Sequence, residues 1–312
     1  MLSMLHILAH AGEHHDGQPW WMMWNLDPLI LASLFALALL YSIGLMRIWS
    51  RAGVGRGVAR WQAICFAGAI VTLVIALVSP LDPMSDELQS AHMVQHMTLM
   101  SLSAPLFILG APATVMLWAA PAPWRQRLMG WRRVEWIRAR WYWLWQPLIM
   151  CGLYAAVLWV WHLPVLYEAA LRNRWIHEIQ HLMFFIVACM FWRVLIDPLA
   201  RLRLSYGAGV IYLFATSLHA TVLGVFLALA PRPWYGDYIG RTEAWNLSAL
   251  EDQQLAGLIM WMPACMIYAL AAAGIFALWL REMPAEAITH RRGAADAEKS
   301  DGFASATSAP PR

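Results

Sequence analysis

Charge is scarce in this 312-residue chain: Asp, Glu, Lys and Arg make up 13% of it, where ordinary soluble domains carry about 25%. With 61% hydrophobic residues and 20 tryptophans, that shortage leaves no stretch that could form a large water-soluble module. Cysteine is also sparse. Cys65, Cys151, Cys189 and Cys265 are far apart, lie in apolar runs and form no CxxC motif. That pattern argues against a disulfide framework and suits small packing residues. The first residues, MLSMLHILAHAGEHHDG, lack the positive start of a signal peptide, and His6 and His10 break their apolar run. The arginines sit in short loops between apolar segments, so no nucleic-acid partner is expected.

Long apolar runs, by contrast, are plentiful. About 20 apolar residues cross a bilayer, and seven runs qualify: roughly Leu26–Trp49, Trp61–Ser79, Ala91–Trp118, Gln146–Trp161, Trp175–Ile196, Ala208–Ala230 and Gln253–Leu280. Unpaired backbone groups exclude open strands in lipid, so the runs predict helices and an all-α polytopic membrane protein of seven spans. Arg47, Arg51, Arg56 and Arg60 mark the first loop. Arg125, Arg127, Arg132, Arg133, Arg138 and Arg140 crowd the third, and Arg193, Arg201 and Arg203 the fifth; Arg281, Arg291 and Arg292 lie in the tail. The alternate loops carry acids instead: Asp82, Asp86 and Glu87, then Glu168, then Asp237, Glu243, Glu251 and Asp252. This alternation places the N-terminus outside and the C-terminus in the cytoplasm. The arginine- and tryptophan-rich third loop reads as an interfacial segment on anionic membrane lipid. The expected organisation is an external histidine-rich segment over 1–25, a transmembrane domain over 26–281, and a disordered cytoplasmic tail over 282–312.

Within that frame the histidines form a pattern. HMVQH puts His92 and His96 in the first turns of span three, and HEIQH puts His177 and His181 in the first turns of span five. Residues four apart share a helix face. At about 1.5 Å per residue, His96 and His181 lie about 6 Å deeper than His92 and His177. If the two spans are neighbours, four imidazoles converge within reach of water at the outer face, a set that suits copper, zinc or iron. Intramembrane ionisable groups usually mark function. His162 ends span four on the same side and His219 lies near the middle of span six, both accessory candidates. Gln95 and Gln180 precede the deeper histidines identically, as amides that orient imidazoles would. Glu178 is a candidate counter-charge or ligand. Met93, with Met84, Met97, Met100 and Met183, would favour Cu(I) if its thioether joins the site. Asp252, Gln253 and Gln254 open span seven at the same end, where they could wall a cavity. His6, His10, His14 and His15 form an external cluster that could collect metal, and only His290 falls on the cytoplasmic side.

HMVQHMTLMSLSAPLFILGAP, WHLPVLYEAAL, HEIQHLMFFIVACMFWRVLIDP, YGDY and EDQQLAGLIMWMP, in this order, resemble the multi-spanning CtaG-like cytochrome c oxidase assembly factors. The resemblance covers roughly Gln89 to Met262. It implies a seven-helix protein of the bacterial plasma membrane that supports maturation of haem-copper oxidases, with oxidase subunits as partners. The matching positions here are His92, Gln95, His96, His162, His177, His181, Asp252, Gln253 and Gln254. The function expected is therefore non-catalytic: a metallochaperone holding copper at its outer face for the oxidase, with a periplasmic copper donor as a further candidate partner. Two other readings stay open, a haem-binding redox protein with one axial histidine from each of spans three and five, and a membrane di-iron oxygenase.

Overall fold

The computed structural model describes residues 19–130, 134–197 and 204–282. His6, His10, His14, His15 and His290 lie outside the described residues, as do most of the expected N-terminal segment and the expected tail.

Regular structure among the described residues is entirely helical. The long elements are α1 (Pro28–Ala52), α2 (Arg60–Leu77), a short α3 (Leu81–Ser85) and α4 (Gln89–Met97). A π-helical turn over Thr98–Ser103 leads into α5 (Ala104–Leu109) and α6 (Pro112–Ala119). Then come α7 (Ala122–Gly130), α8 (Glu135–Leu144), α9 (Pro147–Trp161), α10 (Pro164–Arg172), α11 (Arg174–Ile196), α12 (Tyr206–Ala228) and α13 (Ala249–Glu282). Five of these, α1, α2, α11, α12 and α13, are long and apolar enough to cross a membrane. Seven crossings result if two bent pairs each count as one: α4–α5 with α6, bent by 59°, and α8 with α9, bent by 65°. Each bent pair covers one of the seven apolar runs.

The bend in the third crossing has a local cause. Ala111 adopts a left-handed φ of 50° and Pro112 restarts the chain as the first residue of α6, a position where its missing N–H costs nothing. Gly110 packs so tightly on α2 that a Cβ there would lie 2.7 Å from the Phe66 Cβ. Its carbonyl, freed by the break, accepts a 2.9 Å hydrogen bond from the buried Tyr41 hydroxyl. At the far end Arg47 donates to the Trp118 and Ala119 carbonyls, capping the negative end of α6 with a cation. At the other end of α1, Asp27 caps the helix through Leu29 N at 2.6 Å and Ile30 N at 3.1 Å, and pairs with Arg174 at the start of α11.

A close backbone contact joins α12 to α13. A Cβ on Gly257 would meet Ala228 N and Gly224 O at 2.5 Å, and one on Gly224 would meet Gly257 O at 2.9 Å. Both obstacles are backbone and cannot rotate away. Gly257→Val should therefore push α13 off α12 and cost about 3 kcal/mol, read as a lower melting temperature in detergent. Gly274→Ala on the same helix has nothing within 4 Å, and should raise stability by up to about 1 kcal/mol through helix propensity alone. Equal melting of the two variants would contradict the packing.

Candidate metal centre

The start of α4 carries the first two histidines, and its anchoring comes from α13. Leu88 precedes the helix and offers no capping side chain. The carboxylate of Asp252 does so in trans, accepting from Gln89 N at 2.6 Å and from Ser90 N at 3.2 Å, and from the Ser90 hydroxyl. A carboxylate at a helix N-terminus satisfies orphan donors and the dipole together. Asp252, Gln89 and Ser90 are all buried, so the cap is shielded from water. Two residues beyond His96 the chain widens at Thr98 into the π-helical turn, a form that recurs at functional sites. Its loosened carbonyls find partners: Trp192 Nε1 donates to Met100 O at 3.0 Å, and Ser103 Oγ to Thr98 O at 3.0 Å.

His92, His96 and His181 meet at this end of the bundle. One ring nitrogen of each lies within 4.8 Å of the other two. All three side chains are buried. The His92 and His96 rings are 4.2 Å apart, and His96 and His181 5.3 Å apart. Phe184 backs His96 at 4.6 Å. Both nitrogens of His92, both of His96 and Nε2 of His181 have no hydrogen-bond partner. The Ser85 carbonyl and the Gln180 side chain flank His92 without meeting hydrogen-bond geometry. Unpaired buried polar groups each cost about 1–3 kcal/mol, and several converging lone pairs in one place form a donor set that a metal ion would satisfy. Nitrogens bound to one ion at about 2.0–2.1 Å lie within about 4 Å of each other. Small rotations of the rings close the remaining gap, so the donor set fits a single imidazole-preferring ion.

Two more histidines flank the three. His177 stacks on His92 at 5.1 Å and lies 4.2 Å from His181, but its nitrogens fall outside the 4.8 Å group. It is half-buried, and its Nε2 has no partner. His162 is buried, and its Nδ1 lies 2.7 Å from the Leu158 carbonyl. A carbonyl only accepts, so Nδ1 carries the proton and Nε2, buried and unpartnered, keeps its lone pair. His219 is remote from the group, half-buried beside the Tyr154 ring at 5.9 Å.

The remaining sequence candidates are placed as follows. Gln95 and Gln180 occupy equivalent motif positions but behave differently. Gln95 Nε2 donates to Ala76 O at 2.8 Å and Asp82 Oδ1 at 2.7 Å, tying α4 to α2 and α3 rather than orienting an imidazole. Burial pushes the Asp82 carboxyl up to about 6 against the opposing hydrogen bonds from Asn25 and Gln95. Gln180, fully buried, has neither amide atom paired and sits against the histidines. Glu178 is half-buried and faces the Arg174 charge, outside the three-histidine group. Met93 is 1% exposed and packs in the main apolar core, whereas Met183 is 40% exposed on the bundle surface. Asp252 acts as a cap, with both oxygens committed to α4.

The expected open access to water is the clearest correction. The three histidines are sealed by three buried tyrosines that sequence reasoning did not single out: Tyr167, Tyr235 and Tyr238. Tyr167 lies 5.1 Å from the His92 ring and stacks on Tyr235 at 3.9 Å. Tyr235 donates to the His162 carbonyl at 2.9 Å, and Tyr238 to the Ser85 carbonyl at 3.1 Å. This roof is latched at the surface by Arg172, bound to Asp237 at 2.7 Å and Glu168 at 3.0 Å. The Arg172 guanidinium holds the Asp237 carboxyl below its usual range. These tyrosines fall in WHLPVLYE and YGDY, but the groups they bond lie 71 to 153 residues away along the chain.

No solved structure matches this chain. Uncharacterised proteins of three mycobacteria do. That of Mycobacterium leprae is 28% identical over 273 residues, covering 83% of this chain and 40% of the relative. Those of Mycobacterium bovis and Mycobacterium tuberculosis are each 28% identical over 275 residues, with the same coverage of 83% and 40%. The chain thus spans about 40% of the length of these curated relatives. The family model of the cytochrome c oxidase caa3 assembly factor matches residues 39–282, a stretch that holds the three converging histidines, the helix cap and the tyrosine roof. On that match across most of its length, the chain belongs to the cytochrome c oxidase caa3 assembly factor family, Caa3_CtaG.

Proposed function

We propose that this protein is a plasma-membrane assembly factor that holds copper at His92, His96 and His181 and supports its insertion into a haem-copper cytochrome c oxidase. The carrying observation is the buried trio of imidazoles with five unpartnered nitrogens. His162 and His177 stand ready as alternative fourth donors, His162 with its tautomer already set. Imidazoles suit copper, zinc and iron alike; the service to a copper-containing oxidase, which family membership supports, favours copper. The action is binding and release rather than bond chemistry. The histidine end faces outward by the loop-charge argument, the side from which a periplasmic donor would deliver. Burial under the tyrosine roof suits a carrier that keeps its ion from adventitious ligands until it meets its partner.

The test is oxidase activity across a copper titration, in a strain lacking the protein and in one carrying the His92/His96/His181 triple alanine variant. Both should lose activity at limiting copper and regain much of it at high copper, because mass action replaces a carrier that raises local metal. Copper-independent loss in both would instead indicate a purely structural chaperone. Full activity of the triple variant at limiting copper would remove the histidines from the function. A Soret band in the purified protein would turn the reading towards haem.

A further inference from the structure

The end of the bundle opposite the histidines carries a second unassigned feature. The third crossing runs from His92 to Trp118, so Trp118 lies at the arginine-rich end. Two guanidinium groups lie over its one indole: Arg125 at 4.2 Å from the ring centroid and Arg51 at 5.5 Å. Neither arginine has a carboxylate partner among the described residues. Arg47, one helical turn before Arg51, is committed to the Trp118 and Ala119 carbonyls. It fixes α6 against α1 and thereby brings Arg51, on α1, to the same ring as Arg125, on α7. Beside this cluster opens a cavity of about 350 Å³ lined by Leu117, Arg125, Gln126 and Met129. Its walls are therefore half apolar and half donor-bearing. Cation–ring contacts soften but do not neutralise two like charges held at one ring.

We propose that this cavity binds the phosphate headgroup of an anionic phospholipid. Arg125, in the cavity wall, supplies the direct counter-charge, Arg51 at the same Trp118 ring adds a second positive charge nearby, Gln126 is a further donor, and Leu117 with Met129 form an apolar wall for the glycerol and first acyl carbons. Arginine's planar fork suits phosphate. The site's position at the end of the crossing, with the exposed Trp124 next to Arg125 in the chain, puts it at headgroup depth, where tryptophans collect. A zwitterionic headgroup would bring its own cation against Arg51 and Arg125, so selectivity for anionic lipid follows from the charge.

The test uses the full-length protein, exchanged into detergent. Phosphatidylglycerol, phosphatidylcholine or inorganic phosphate is added separately, and bound lipid is counted by native mass spectrometry. One phosphatidylglycerol should be retained. Phosphatidylcholine should bind at least tenfold more weakly, and millimolar inorganic phosphate should not displace the lipid. Arg125→Gln should weaken retention about tenfold, the scale of one charge-assisted contact, and Arg51→Gln by a smaller factor through its longer-range charge. Arg138→Gln, from the exposed pair with Glu135, should not. Equal retention in all variants, or equal binding of both lipids, overturns the proposal. Displacement by inorganic phosphate assigns the site to a free anion and overturns it too. Unchanged melting in phosphatidylcholine micelles separates loss of lipid from loss of fold.

Discussion

His96→Ala and His181→Ala should each lower bound metal at least tenfold in protein purified without a histidine tag and loaded with a stoichiometric amount of copper. Each removes one of three converging nitrogens; Phe184 backs His96 and the Gln180 amide is a weak ligand for copper, so a donor drawn from His162 or His177 can only bring a depleted set back to three. His162→Ala and His177→Ala should reduce affinity less, by about tenfold or below, because either residue can take the fourth position when the other is lost. His219→Ala, remote from the group, should keep full metal content. Metal analysis by mass spectrometry reads all five. Undiminished metal in the His96 and His181 variants would end the site assignment. Loss in the His219 variant equal to that in His96 would show a different ligand set. Because alanine also relieves unpaired buried nitrogens, these variants should melt no lower than the native protein without metal. Their defect should appear only in the loaded state, as a smaller gain in melting temperature on adding copper.

Five spans, and two further apolar runs that the fold bends, were legible because apolar length is a strong signal in a chain with so little charge, and the bend at Gly110–Pro112 sits on residues that disfavour a continuous helix. The histidine pairs were legible because a spacing of four fixes a common face whatever the surroundings. What could not be read is rotation about the helix axes. Gln95 and Gln180 share a motif position, yet α4 turns Gln95 towards Ala76 and Asp82 while α11 turns Gln180 inward. The same freedom decides that His181 joins His92 and His96 while His177 lies against their edge. The roof was hidden for another reason. Tyrosine near a membrane surface reads as an interfacial residue, and nothing local distinguishes Tyr167, Tyr235 and Tyr238 from that role. Their burial follows from contacts between distant loops, such as Tyr235 with the His162 carbonyl. The π-helical turn likewise leaves no mark in residue periodicity over six positions.

Asp252→Ala should cost about 2–3 kcal/mol and weaken metal binding, although Asp252 touches none of the histidines' nitrogens. The carboxylate accepts from two backbone N–H groups and one hydroxyl at the buried start of α4. An ordinary N-cap contributes about 0.5–2 kcal/mol. Here the donors left behind are sealed from water, and that raises the loss. His92 lies one turn into the helix whose first turn would loosen, so the three nitrogens would be held less closely. Asp252→Asn separates positioning from ligation. Its amide oxygen still accepts from Gln89 N, so a cap would be partly restored, with more than half of the lost melting temperature recovered. A carboxylate ligand would not be restored. The cap further implies that saturating copper should refill the alanine variant to full stoichiometry, because all donor nitrogens remain and only their positioning is lost. Failure to refill at saturation, with native stability retained, would make Asp252 a ligand instead of the anchor of the helix that bears two of them.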